Sequence, residues 1–135
     1  KSTKVFQALR IFVNKEITEL ICGLIKAYNI LPVGGAIAVV TFHSIEDKIV
    51  KFFFKEYSEV KNSSRYLPKN SLSKKYFNLT KKKPTIPSKS EVKINPPSRS
   101  AKLRFAYKLE DGCDFKKFVN NFNYLKDIEN LKFDA

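Results

Sequence analysis

The stretch from Leu31 to Tyr57 constrains the fold more than any other part of the chain. Pro32, Gly34 and Gly35 end whatever precedes them, and Ala36 to Phe42 then runs apolar and β-branched without a polar interruption. A strand that lacks alternation is expected to be buried on both faces, as in a parallel sheet. His43-Ser44-Ile45-Glu46-Asp47 follows at once, and Ser44 and Asp47 have the spacing of a capping box. A helix through Ile49, Val50, Phe53 and Phe54 toward Tyr57 is therefore expected directly after the strand. Upstream, Asn14 reads as the N-cap of a helix whose Ile17, Leu20, Ile21, Leu24, Ile25 and Tyr28 recur at helical spacing. Helix, tight turn, buried strand and helix is the order of an open α/β fold, in which ligands sit beyond the carboxyl ends of the strands. His43 to Asp47 falls at that edge.

Further along, residues 58–82 turn polar without a period and read as a long loop. Lys83 to Ile86 is expected as a short strand. Ser88 and Glu91 form a second capping pattern, which Asn95-Pro96-Pro97 ends. Leu103, Phe105, Tyr107 and Leu109 then alternate with Lys102, Arg104, Ala106 and Lys108, which reads as a strand with one apolar and one largely basic face. The last two strands are expected to form a hairpin-like edge. Phe115, Phe118, Val119, Phe122 and Leu125 share one face of an expected terminal helix.

Charge sharpens the functional reading. Residues 48–108 carry seventeen Lys/Arg against three Asp/Glu, whereas residues 1–47 carry five against four and residues 109–135 four against six. One segment holds all the excess, the footprint of a surface that approaches phosphates. Cys22 and Cys113 lack the spacing of a zinc site or a disulfide framework, so no metal is expected. No apolar run reaches the length of a membrane span, and a cytoplasmic location is expected. The chain has no methionine and begins abruptly at Lys1-Ser2-Thr3, which reads as a fragment.

Three stretches carry a family resemblance: Phe6 to Ile11 with Val13-Asn14, Pro32 to Lys51, and Pro84 to Arg104. The central one reads P-V-G-G-A-I-A-V-V-T-F-H-S-I-E-D-K-I-V-K, and the last contains Pro84-Thr85-Ile86-Pro87-Ser88 and Asn95-Pro96-Pro97-Ser98-Arg99-Ser100-Ala101-Lys102-Leu103-Arg104. In order and spacing the chain resembles the ribosomal RNA small subunit methyltransferase H family. The resemblance implies the C-terminal part of a doubly wound, Rossmann-like class I methyltransferase sheet over residues 1–109, with the basic loop inside it and a helical extension over 110–135. It implies S-adenosylmethionine-dependent N4-methylation of a cytidine in 16S ribosomal RNA of the small ribosomal subunit. The lead before Phe6 and Lys48 depart from the family pattern. The glycine-rich cofactor turn and the acidic ribose partner are missing, so S-adenosylmethionine is expected to bind mainly to an absent N-terminal half, and the fragment alone is expected to be inactive.

Within that frame His43 and Ser44 are expected to position the base, with Glu46 and Asp47 as weaker candidates that helix capping also explains. Methylating an exocyclic amine asks chiefly for orientation, and the base must leave its stack to be reached. Arg99, Ser100, Lys102 and Arg104, with Arg10 and Asn14, are the expected RNA contacts. Asn95-Pro96-Pro97-Ser98 is similar to the Asn-Pro-Pro-aromatic loop of amino-group methyltransferases, but its fourth residue is not aromatic and no role is assigned to it. The competing reading is a non-catalytic basic RNA-binding module.

Overall fold

The computed structural model describes residues 15–59 and 75–125. The expected N-cap at Asn14 and the candidate contact Arg10 lie outside the described residues. Among the described residues, four α-helices and three strands run in the order α1 (Glu16–Ile30), β1 (Ala36–Thr41), α2 (Ser44–Ser58), β2 (Phe77–Asn78), α3 (Lys89–Ile94), β3 (Lys102–Lys108) and α4 (Lys116–Asn121). A 3-10 helix, Pro96–Ser100, leads into β3. The chain divides into two compact units, one from Tyr28 to Asp114 and one combining Lys1–Ala27 with Phe115–Ala135.

The Tyr28–Asp114 unit is built on a three-stranded antiparallel sheet in the order β1-β3-β2. Ala36 pairs with Tyr107 and Thr41 with Lys102, so the end of β1 lies beside the start of β3. Phe77 pairs with Lys108, and Thr85 forms a single bridge to Leu103 where the sequence suggests a longer strand. Helix α2 packs against all three strands and buries Ile49, Val50, Phe53 and Phe54. Phe77 sits among Tyr28, Phe53 and Phe54, with ring centroids 5.2–5.6 Å apart and mostly edge-on, the favoured arrangement for aromatic quadrupoles.

Two expectations about faces give way. Strand β1 pairs antiparallel among the described residues, and only Ile37 and Thr41 are buried along it, while Val40 is 51% exposed. The register puts Ala36, Ala38 and Val40 on one face with Leu103, Phe105 and Tyr107, and that apolar face is open among the described residues. The other face takes the residues expected to be basic and outward. Ala106 and Lys108 are buried there and Arg104 nearly so, because α2 and the end of α1 present polar groups that need cations.

Lys108 shows why. Its Nζ donates to the Tyr28 carbonyl at 2.8 Å and the Leu31 carbonyl at 2.7 Å, closing the open C-terminal end of α1, and it pairs with Asp111. It also stands 4.2 Å from the centroid of the Tyr28 ring. Its backbone holds the turn before β1, with Gly34 N–H donating to Lys108 O and Lys108 N–H to Gly35 O, both at 2.8 Å. Gly34 adopts φ +92°, which favours glycine, and a Cβ on Gly35 would lie 2.5 Å from Leu31 Cδ1, so a side chain there would displace Leu31. The Tyr28 hydroxyl donates to Glu110 O and accepts from the Cys113 N–H, and burial raises its pKa.

In the other unit, Ile17, Ile21 and Leu24 of α1 are buried, as the helical spacing predicts. Phe115 adopts a left-handed conformation just before α4, and Phe115, Phe118 and Phe122 are buried. The rings of Phe118 and Phe122 meet edge-on at 5.8 Å.

Lys108→Met keeps the length of the side chain and removes the charge from two helix-end carbonyls. It is expected to lower the unfolding free energy by about 2–4 kcal/mol in urea titrations. Asp111→Asn, at an exposed partner, should cost less than about 1 kcal/mol. Equal losses would place the stabilisation in the ion pair instead of in the capped carbonyls.

Candidate functional site

Because β1 and β3 run antiparallel with Thr41 opposite Lys102, the segments 41–47 and 96–104 meet at one end of the sheet. The link between them is Asp47. Arg104 donates from Nε to Asp47 Oδ1 at 2.8 Å and from Nη2 to Oδ2 at 3.2 Å, a bidentate fork across 57 positions of sequence. Lys102 Nζ stands 3.6 Å from the same carboxylate. Asp47 and Arg104 side chains are each about nine-tenths buried, at 11% and 12% exposure. Burial pushes the Asp47 carboxyl up, but the hydrogen bond and charge of Arg104, joined by Lys102, outweigh it and hold the group below the usual carboxylate range.

At the strand-to-helix turn the cap is shifted by one residue from the expected box. His43, in extended backbone, accepts the Glu46 N–H on Nδ1 at 3.4 Å. Accepting there assigns the ring proton to Nε2 in the neutral imidazole. Nε2 lies 2.9 Å from Glu46 Oε1 without the alignment of a hydrogen bond. Glu46 Oε1 also receives the Phe42 N–H at 3.5 Å. The pairing is a variant of a capping box, with an imidazole in place of a hydroxyl and the glutamate reaching one residue beyond the cap, to Phe42. The His43 side chain is only 5% exposed, whereas Phe42 is 53% exposed and Ser44 is exposed at the first helical position. Thr41 Oγ1 is buried with no hydrogen-bond partner among the described residues.

The structure therefore brings Ser44, Glu46 and Asp47 together with His43 on one turn, and Lys102 and Arg104 against that turn through Asp47. Arg99 and Ser100 lie exposed on the 3-10 helix, whose Ser98 is buried with its hydroxyl donating to Asn95 O at 2.7 Å. Ser88 caps α3 by accepting the Glu91 N–H at 3.2 Å, as its spacing suggests. Nothing in the alternation of the strand marks Arg104 as facing inward. Its only signal was an acid 57 positions upstream, which becomes a partner through the register alone.

Among the described residues no three His, Cys, Asp or Glu side chains gather as a metal site, and no helix is long and apolar enough to cross a membrane. Gly34-Gly35, the only adjacent glycines, precede a strand and are packed by Leu31.

The model of the MraW methylase family matches residues 1–109. A protein of Rhodopseudomonas palustris (strain TIE-1) named ribosomal RNA small subunit methyltransferase H is 47% identical over 109 residues, covering 81% of this chain and 33% of that protein. Proteins of the same name are 50% identical over 105 residues in Methylorubrum populi (strain ATCC BAA-705 / NCIMB 13946 / BJ001), covering 76% and 30%, and 39% identical over 130 residues in Nitrobacter winogradskyi (strain ATCC 25391 / DSM 10237 / CIP 104748 / NCIMB 11846 / Nb-255), covering 93% and 39%. The chain spans about a third of the length of these curated relatives.

A depressed carboxyl pKa has a fixed sign in stability. The Asp47 contribution is complete above the unfolded carboxyl value, about 3.9, and is lost as pH falls through the lower folded value. Melting temperature followed from neutral pH into acid should fall in that window. Asp47→Asn should lower it at neutral pH and flatten the acid limb. An unchanged acid limb would show that other carboxylates govern acid unfolding.

Proposed function

We propose, because this chain belongs to the MraW methylase family, that it is part of an enzyme that methylates N4 of a cytidine in 16S ribosomal RNA. The observation that carries the reading is the match over residues 1–109, with relatives of 47–50% identity named as ribosomal RNA small subunit methyltransferases. The chain supplies the C-terminal part of a doubly wound class I methyltransferase sheet, with residues 1–109 in that domain and 110–135 as a helical extension. The open apolar face of β1 and β3 supports this, since a doubly wound sheet buries both faces under helices. S-adenosylmethionine, the methyl donor, binds mainly to the part of the longer protein beyond this chain, and the chain alone is inactive. The enzyme works in the cytoplasm on the small ribosomal subunit.

The turn from Phe42 to Asp47 forms one wall of the base pocket. His43 acts as a positioning residue: its cap fixes the turn, so exposed Phe42 and Ser44 face the base. Glu46 and Asp47 hold that shape from behind. Arg99 and Ser100 meet RNA phosphates from the 3-10 helix, with Lys102 and Arg104 beside them and Arg10 and Asn14 as further contacts.

The full-length protein, incubated with small ribosomal subunits and methyl-labelled S-adenosylmethionine, is expected to label one cytosine, located by mass mapping. His43→Ala should cut the rate by about 10²-fold, the scale of a lost orienting contact, and loss of the cap should cost about 1 kcal/mol of stability, too little to unfold the protein. RNA binding without methyl transfer would instead favour a basic binding module.

A further inference from the structure

Helix α2 and the segment after β2 enclose a cleft of about 280 Å³ that is separate from the turn at His43. Its walls are two sets of lysines. Lys51 and Lys55 lie one helical turn apart on α2, and Lys81, Lys82 and Lys83 line the cleft from the segment after β2. Phe54 and Leu79 supply an apolar floor, and Glu59 is the only acid in the lining. All five lysines are exposed, and none has an ion-pair partner among the described residues.

The lysine wall is held in place by the fold. Arg104, already forked onto Asp47, donates its remaining Nη1 to the Lys82 carbonyl at 3.3 Å. Thr85 exchanges two backbone hydrogen bonds with Leu103, at 2.8 and 2.9 Å, which pins the same segment to β3. Lys81 Nζ reaches Thr85 Oγ1 at 3.4 Å. Lysines gathered from two elements around one cleft repel one another unless an anion lies between them, and the hydrogen bonds to Arg104 and Leu103 hold the backbone of the second set in place.

We propose that this cleft binds the phosphate backbone of single-stranded RNA next to the modified nucleotide. The proposal rests on the methyltransferase reading for the identity of the RNA. The cleft's cations supply the site itself. Arg104 lines the cleft and grips Asp47, so a strand with its base at Phe42 and Ser44 continues along α2 toward Lys51 and Lys55. The floor accepts sugar and base edges while the lysines meet consecutive phosphates.

The test uses the full-length protein, without cofactor, and an end-labelled single-stranded RNA oligonucleotide whose binding is read by anisotropy over a salt series. Lys51→Ala/Lys55→Ala and Lys82→Ala/Lys83→Ala are compared with Lys26→Ala/Lys93→Ala, a control with the same charge change at exposed positions outside the cleft. Each cleft pair should weaken binding about tenfold at low salt and reduce the slope of log K against log salt by about 1.4, two phosphate contacts at about 0.7 each. The control should leave the slope unchanged. The walls lie on different elements, so either pair tests the cleft if the other disturbs folding. In methyl-transfer assays the cleft variants should raise KM for RNA and leave kcat intact. Equal effects from cleft and control pairs would overturn the site. A wild-type protein that binds RNA through the cleft but transfers no methyl group would sink the methyltransferase reading and leave the cleft standing.

Discussion

The carboxylate of Asp47 sets the orientation of strand β3. Nearly buried at the start of α2, it needs cations, and the fork from Arg104 with Lys102 alongside supplies them. An uncompensated charge at such a position would cost about 3–5 kcal/mol, enough to override the strand's own hydrophobic alternation. Lys108 answers a second demand at the other end of the strand, the carbonyls of Tyr28 and Leu31 at the C-terminal end of α1. With both ends fixed by cations, the inward face of β3 is basic and the apolar residues of the strand look outward.

That reversal marks where the sequence can be read and where it cannot. Helices α1 and α2, the glycine turn and strand β1 follow from local signals: helical spacing at Ile17, Ile21, Leu24 and Tyr28, a proline with two glycines, and an apolar run. The cap at Ser88 was equally local. The faces of β3 were not, because alternation reports only that two faces differ. Which face turns inward depended on partners 57 and about 80 positions away. Burial of β1 on both faces is not met among the described residues, since an apolar run does not say what covers each side.

The candidate site has the same division. His43 to Asp47 was visible as a motif at a strand end, but its geometry was not, because an imidazole in place of a hydroxyl shifts the cap by one residue. The cleft lysines were legible only as an excess of charge between residues 48 and 108. Their grouping around one cleft depends on the hydrogen bonds of Arg104 and Thr85, which hold the second set of lysines against the sheet.

Asp47 and Arg104 join two segments that lie 57 positions apart. A double-mutant cycle in the full-length protein tests that link most directly, with Asp47→Ala, Arg104→Ala and the double variant assayed for melting temperature and methyl transfer. Each single change should be severe, and the double variant should be no worse than either, with a coupling of at least about 1.5 kcal/mol. Additive losses would contradict the claim, because they would mean that the two residues act independently.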